Sequence, residues 1–307
     1  MNRPVSPADV KNAADLIAGL VRPVTLAPVA EGLWFALEFL QHTGSFKARG
    51  AANFLTAHRT CGTIPEAGVT MASGGNAGLA CAWAARRQGV PARVFLPRTA
   101  PAVKAERLRG YGARVTLAGE TFQEALDASR RHAAETGALQ SHAYDHPLIS
   151  AGAGTLLPEI AAAAPVDTVV VSVGGGGLFA GVAAAAEGLG IRVVAVEPEN
   201  CAALAAALRA GRVVDAPVDS VAADSLGATR ASADALYWIN RPGNRSVLVP
   251  DAAITAARRR LWAEHRLAVE HAAATAYAAL EHGSWRPEPG ERVAVVLCGA
   301  NTDPSDL

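Results

Sequence analysis

Residues 41–50 read QHTGSFKARG, and Lys47 within them is one of only three lysines among the 28 lysine and arginine residues of this 307-residue chain. An amine that loses its proton when taken out of water can act as a nucleophile, a Schiff-base partner or a general base, whereas a guanidinium stays charged. Lys47 is therefore a candidate for covalent or proton-transfer chemistry, its alternative being an ordinary surface cation. Three glycine-rich turns offer a second kind of chemistry. The run TVVVSV at 168–173 leads straight into GGGGLFAG, a strand, a tight turn and a helix in succession. Glycines let several backbone N–H groups converge on an anion at the positive end of a helix dipole, so Gly174, Gly175, Gly176 and Gly177 with the Leu178 amide form a candidate phosphate cradle. The same loop also satisfies G-x-G-x-x-A through Gly175, Gly177 and Ala180, with Glu197 ending the next strand, as a nicotinamide dinucleotide site would. A second turn, SGGNAG from Ser73, places Asn76 and its neighbouring amides at another helix start. The third, LCGAN, places Cys298 and Asn301 at the end of the last strand, where open α/β sheets bind ligands.

The elements that position these turns follow from the hydrophobic pattern. From residue 68 onward, short β-branched runs alternate with Ala-rich runs of helical spacing, the pattern of βαβ units on a parallel sheet. Strands are expected at 69–73, 92–96, 113–117, 168–173, 192–196, 246–249 and 292–297. Helices are expected at 77–88, 102–110, 122–136, 178–188, 202–209, 252–264 and 272–281. Residues 212–245, rich in Asp, Pro, Gly and Asn, read as a long connection near the mouth of the site.

Composition narrows the partners. The formal net charge is zero and half the residues are hydrophobic, so neither nucleic acid nor an anionic membrane surface is indicated, and a small molecule is the expected partner. The N-terminus lacks a secretory layout and no apolar run is long enough for a membrane span, so a soluble, cytoplasmic chain is expected. The four cysteines form no CxxC pair and suggest neither a disulfide framework nor a zinc site. His265 and His271, around Glu264 and Glu270, lack the HExxH spacing and read as solvated polar residues of a helix.

Together, TGSFKARGA, SGGNAG, PAVKAERLRGYGARV, GGGGL, VAVEP and a last strand ending CGAN resemble the fold-type II enzymes that use pyridoxal 5'-phosphate (PLP). Within these the chain is most similar to the serine/threonine dehydratases, or threonine ammonia-lyases, and the likeness runs in the family's order over nearly the whole chain. It implies an α/β, tryptophan synthase β-like architecture of two open, twisted, mostly parallel sheets flanked by helices. Residues 1–47 and 143–307 would form a large PLP-binding domain and 48–142 a small inserted one. The resemblance also implies that Lys47 holds PLP as a Schiff base, next to Phe46. Asn76 would bond the ring hydroxyl oxygen, Gly174 to Gly177 and Leu178 the phosphate, and Cys298 would face the pyridine nitrogen. Ser73, Gly74, Gly75, Asn76 and Ala77 would receive the substrate carboxylate.

The implied activity is β-elimination from L-serine or L-threonine to a 2-oxo acid and ammonia, with Lys47 as the base. This is a carbon–nitrogen lyase reaction of amino-acid catabolism, carried out in this family by dimers. Alternatives within the family are a serine racemase and a β-replacement enzyme of the cysteine-synthase type. From outside it come the nicotinamide oxidoreductase and a PLP-binding protein without catalysis. Serine racemases place an acid at the serine two residues before the Asn of this turn. The corresponding residue here is Gly74, so little racemisation is expected, with some gained in Gly74→Ser if the new hydroxyl reaches Cα. Some relatives bind a divalent cation through the Glu after VAV and an Asp six residues on. Here Glu197 is followed at that spacing by Ala203, and no metal is expected.

Overall fold

Val169, Val170 and Val171 are consecutive on one strand, so their side chains point to alternate faces, yet all three are 0% exposed. A strand can bury both faces in this way only inside a sheet covered on both sides, the usual setting of parallel strands. The computed structural model, which describes residues 3–307, shows two such sheets.

The strands are β1 (Leu26–Ala30), β2 (Leu33–Ala36), β3 (Val69–Ala72), β4 (Ala92–Leu96), β5 (Arg114–Leu117), β6 (Leu139–Gln140), β7 (Thr168–Ser172), β8 (Arg192–Pro198), β9 (Asn244–Val249) and β10 (Val293–Val296). One sheet has the order β1-β2-β10-β7-β8-β9, parallel except for the β1–β2 hairpin, and the other has the order β5-β4-β3-β6 and is parallel throughout. Around them run helices α1 (Pro7–Ile17), α2 (Lys47–Thr60), α3 (Asn76–Gln88), α4 (Ala102–Gly110), α5 (Phe122–Thr136), α6 (Pro147–Gly154), α7 (Leu156–Ala163), α8 (Gly177–Ala186), α9 (Ala203–Ala210), α10 (Ala223–Leu226), α11 (Ala233–Ile239), α12 (Asp251–His265) and α13 (His271–Glu281). Among the described residues, no helix is long and apolar enough to cross a membrane.

Each sheet has its own apolar core. Phe35, Val170, Phe179, Val194 and Val295 belong to the larger one, and Phe54, Leu55, Met71, Leu79 and Leu108 to the smaller. The α2 helix packs its buried face, Ala48, Ala51, Ala52, Phe54 and Leu55, into the smaller core, while its first residue, Lys47, sits beside the larger sheet.

The expected elements from residue 68 onward are all present, most with ends within two residues. The stretch 212–245 differs from its expectation. It holds two short helices, α10 and α11, and the first residues of β9, because Leu226, Ala235, Trp238 and Ile239 find apolar burial that its Pro- and Gly-rich composition hides. Strands β1, β2 and β6 and helices α1, α2, α6 and α7 have no counterpart in the pattern.

Candidate active site

The SFK turn is fastened to the loop that follows β10. Ser45 pairs with Gly299 in an isolated antiparallel bridge, and the Phe46 amide donates to the Cys298 carbonyl at 3.0 Å. Just before it, Thr43 holds a left-handed backbone at φ 65°, a conformation that a β-branched residue keeps only when its surroundings impose it. Lys47 therefore enters α2 with its side chain directed to the C-terminal end of the larger sheet. Its Nζ donates to the Ala143 carbonyl at 2.8 Å and lies 4.9 Å from the centre of the Phe46 ring. Burial pushes the Lys47 amine down to about 8, the nearby Cys298 and Glu270 opposing the shift. A buried amine near neutrality is what Schiff-base and proton-transfer chemistry require.

Cys298 follows β10 and is buried, its Sγ 3.4 Å from Oγ of Ser172, the last residue of β7. Burial, with Glu270 adding to it, pushes the thiol up to about 12, so it stays neutral at physiological pH. Two residues beyond Ser172 the tetraglycine turn begins. The amides of Gly175, Gly176, Gly177 and Leu178 donate to no protein acceptor among the described residues, and they lie in the turn that opens α8. Gly176 takes φ +91°, and a Cβ there would lie 2.4 Å from that of Ala235, so the turn admits only glycine. A Cβ on Gly175 would lie 2.3 Å from the Tyr144 ring, which covers the loop and donates from its hydroxyl to the Arg230 carbonyl.

In the second turn, the Asn76 and Ala77 amides at the start of α3 are likewise without a protein acceptor among the described residues. The Ser73 hydroxyl turns back on its own loop and accepts from the Gly75 amide at 3.4 Å. A Cβ on Gly74 would meet Leu96 and the Lys104 side chain at 3.1 and 3.3 Å. A serine at 74 would set its Cβ tightly against Leu96 and the Lys104 side chain, a contact those neighbours must give way to. Lys104 bridges to Asp224 of α10 at 2.6 Å.

Two acidic residues differ from the sequence expectation. Glu270 is no solvated helix residue. It is 6% exposed, and its two oxygens accept from Asn76 Nδ2 at 2.7 Å and Ser225 Oγ at 3.1 Å. Burial pushes its carboxyl up to about 7, with the hydrogen bonds from Asn76 and Ser225 acting against the shift. A lone acid between Val269 and the apolar run HAAATAYAAL was the available signal, since unpaired acids are seldom placed amid core residues. Ser225, inside α10, offered no signal. Glu197 is fully buried, and its oxygens accept from the Leu204 and Ala205 amides at 2.7 and 2.9 Å, capping α9. That carboxylate is engaged by the protein's own helix and presents nothing to a ribose.

The structure thus joins Phe46, Lys47, Cys298 and, through Ser172, the glycine turn at one end of the larger sheet, with Asn76 brought in by Glu270. These residues fit the cofactor that the sequence implies. A buried amine suits an aldehyde, unpaired amides suit a phosphate, and a neutral thiol beside them suits an unprotonated ring nitrogen.

Comparison with known proteins agrees. Residues 20–299 match the family described as pyridoxal-phosphate dependent enzyme. The chain is 39% identical over 272 residues to phenylserine dehydratase of Ralstonia pickettii, covering 88% of this chain and 82% of that one. It is 36% identical over 274 residues to L-threonine ammonia-lyase of Geobacter sulfurreducens, covering 88% and 67%. Among solved structures, maize serine racemase superposes with a TM-score of 0.89 at 28% identity, covering 98% of this chain and 95% of the other. With a match over most of its length and relatives above 30% identity, the chain belongs to the family of pyridoxal-phosphate dependent enzymes.

Proposed function

We propose that this protein is a carbon–nitrogen lyase that removes the β-hydroxyl and the amine of a hydroxy-amino acid, L-serine or L-threonine, releasing a 2-oxo acid and ammonia. The observation that carries this reading is Lys47, a buried amine whose pKa burial lowers to about 8, with Cys298 and Glu270 near it and its Nζ on the Ala143 carbonyl. The names of its relatives, phenylserine dehydratase and L-threonine ammonia-lyase, support the same chemistry. The assignment of 48–142 as a smaller domain, closing on a larger one made of 1–47 and 143–307, belongs to the same proposal.

The residues divide the work as follows. Lys47 would carry the cofactor covalently. The amides of Gly174 to Gly177 and Leu178 would hold its phosphate, Asn76 its ring hydroxyl and Cys298 its ring nitrogen, with Phe46 beside Lys47. Bound there, PLP supplies an electron sink for the Cα–H bond. The turn from Ser73 to Ala77 binds the substrate carboxylate with its amides, which orients the Cα proton toward Lys47. The Lys47 amine, whose neutral form burial makes accessible by lowering its pKa to about 8, takes that proton, and the hydroxyl departs as water. The released enamine then hydrolyses to the 2-oxo acid and ammonia.

A thiol at 298 cannot force a proton onto a pyridine nitrogen as a carboxylate does, and the weaker electron sink favours prompt loss of the β-substituent over transamination. Cys298→Asp is therefore expected to slow elimination by about tenfold, roughly 1.4 kcal/mol in barrier, and to raise the share of transaminated cofactor. Single-turnover absorbance of the variant reads both, and an unchanged rate with no abortive product removes this role for Cys298.

Elimination and racemisation differ in what stands opposite Lys47. Racemisation needs an acid there to replace the proton from the other face. Gly74 offers no proton, and the Ser73 hydroxyl is turned back on its own loop. The expected result with L-serine is pyruvate and ammonia with little D-serine. Chiral chromatography of the reaction tests this, and D-serine accumulating as fast as pyruvate would assign the protein to the racemases.

A further inference from the structure

Asn76 is held from two sides, and the hydrogen-bond chemistry leaves its amide one orientation. The Thr43 carbonyl can only accept, so it fixes the nitrogen end of Asn301, whose Nδ2 donates to it at 2.7 Å. The same Nδ2 donates to Asn76 Oδ1 at 2.6 Å, while Arg107 donates to Asn301 Oδ1, so Asn301 cannot turn over. Asn76 must then present its oxygen to Asn301 and its nitrogen to the opposite side, where Nδ2 donates to Glu270 Oε1 at 2.7 Å. An amide nitrogen carries two hydrogens, and the second has no acceptor among the described residues.

Glu270 is itself immobilised. Its other oxygen accepts from Ser225, and its backbone amide donates to the Gly299 carbonyl at 3.2 Å. Gly299 leaves room for it, since a Cβ at that position would lie 2.0 Å from Glu270 Oε1. The acceptor therefore stands at a fixed point set by α13, α10 and the loop after β10, which also carries Cys298.

We infer that Glu270 is a positioning residue for the cofactor: by accepting one hydrogen of Asn76 Nδ2 it aims the other at the cofactor's ring hydroxyl and so sets how the ring lies in the site. The inference rests on the cofactor site proposed above. It makes the direction of the Asn76–Glu270 hydrogen bond, and not merely its presence, the property that matters.

The test exchanges the two groups. In Glu270→Gln the new side chain can still accept from Asn76 through its oxygen and donate to Ser225 through its nitrogen, so PLP affinity and the visible circular dichroism of the bound cofactor stay near wild type. In Glu270→Ala the Asn76 amide keeps Asn301 but loses the anchor of its nitrogen. PLP binding weakens by about tenfold, the scale of one hydrogen bond to a charged group, and the visible dichroic band shrinks, while borohydride still labels Lys47. In Asn76→Asp with Glu270→Gln the contact is kept with its direction reversed. This double variant melts at the wild-type temperature yet binds PLP as weakly as Glu270→Ala, because no donor faces the ring. A double variant that recovers wild-type affinity and dichroism would reduce the contact to a structural one and overturn the inference, and so would unchanged binding in Glu270→Ala. If Glu270→Ala does not fold, Glu270→Gln and the double variant decide alone. Wild-type protein in which borohydride fails to label Lys47 would overturn the cofactor site and this inference together, whereas a labelled Lys47 with a fully recovered double variant overturns the inference only.

Discussion

Lys47→Ala is expected to lower ammonia release from serine or threonine by roughly 10³-fold or more, because one residue is lost in two roles. The base that takes the Cα proton commonly contributes 10² to 10⁴-fold by itself. The covalent link that holds the cofactor in register goes with it. Lys47→Arg is expected to do no better: a guanidinium keeps the charge but cannot form the Schiff base or take up a proton. This is the physical reason a chain that writes most of its cations as arginine keeps a lysine here. Ammonia assays on both variants, loaded with PLP and matched for folding by circular dichroism, check the prediction. Retention of more than about a tenth of wild-type turnover in either would remove Lys47 from the chemistry.

Arg49→Leu is expected to cost about 3–5 kcal/mol of stability, the range seen when one partner of a buried ion pair is removed. Arg49 lies two residues beyond Lys47 and is 0% exposed. Its guanidinium donates to both Glu38 oxygens at 2.8 Å and to both Glu159 oxygens at 2.8 Å, and also to Thr155 Oγ1 and the Arg22 carbonyl, each at 3.2 Å. Two carboxylates thus share a single cation. Glu38 is completely buried and burial pushes its pKa up, so without Arg49 it must either stay charged in an apolar site or take up a proton. The same bonds tie α2 to the segment before the SFK turn and to α7, so the loss should reach the site as weaker PLP retention. Chemical denaturation gives the number. A drop below about 1 kcal/mol would mean that the network contributes no more than an exposed pair. Arg49→Leu combined with Glu38→Leu should recover part of the loss, since an apolar pair can replace a buried ionic one.

The alternation of valine-rich and alanine-rich runs sufficed to place the parallel strands other than β2 and β6, because burial on both faces leaves an unbroken apolar signature. It missed β1 and β2, where LAPVA and LWFA are only half-buried, and α2, whose polar residues Asn53 and Arg49 are buried by partners distant in sequence. The glycine turns were legible since their amide geometry is local. The apolar flanks of Glu270 signalled its burial, but its role was not legible, as that depends on Asn76, Ser225 and Gly299, which the chain brings to it from 194, 45 and 29 residues away. Gly74 illustrates a third case: its lack of a side chain was evident, but the direction in which a new side chain would point lay in its packing against Leu96 and Lys104.

The most direct test of the account is a peptide map. Purified protein loaded with PLP is reduced with borohydride, digested and searched for the phosphopyridoxyl group by mass spectrometry. One label per chain is expected, on Lys47, in the peptide that contains TGSF. A label on Lys11 or Lys104, or none after saturation with PLP, would contradict it.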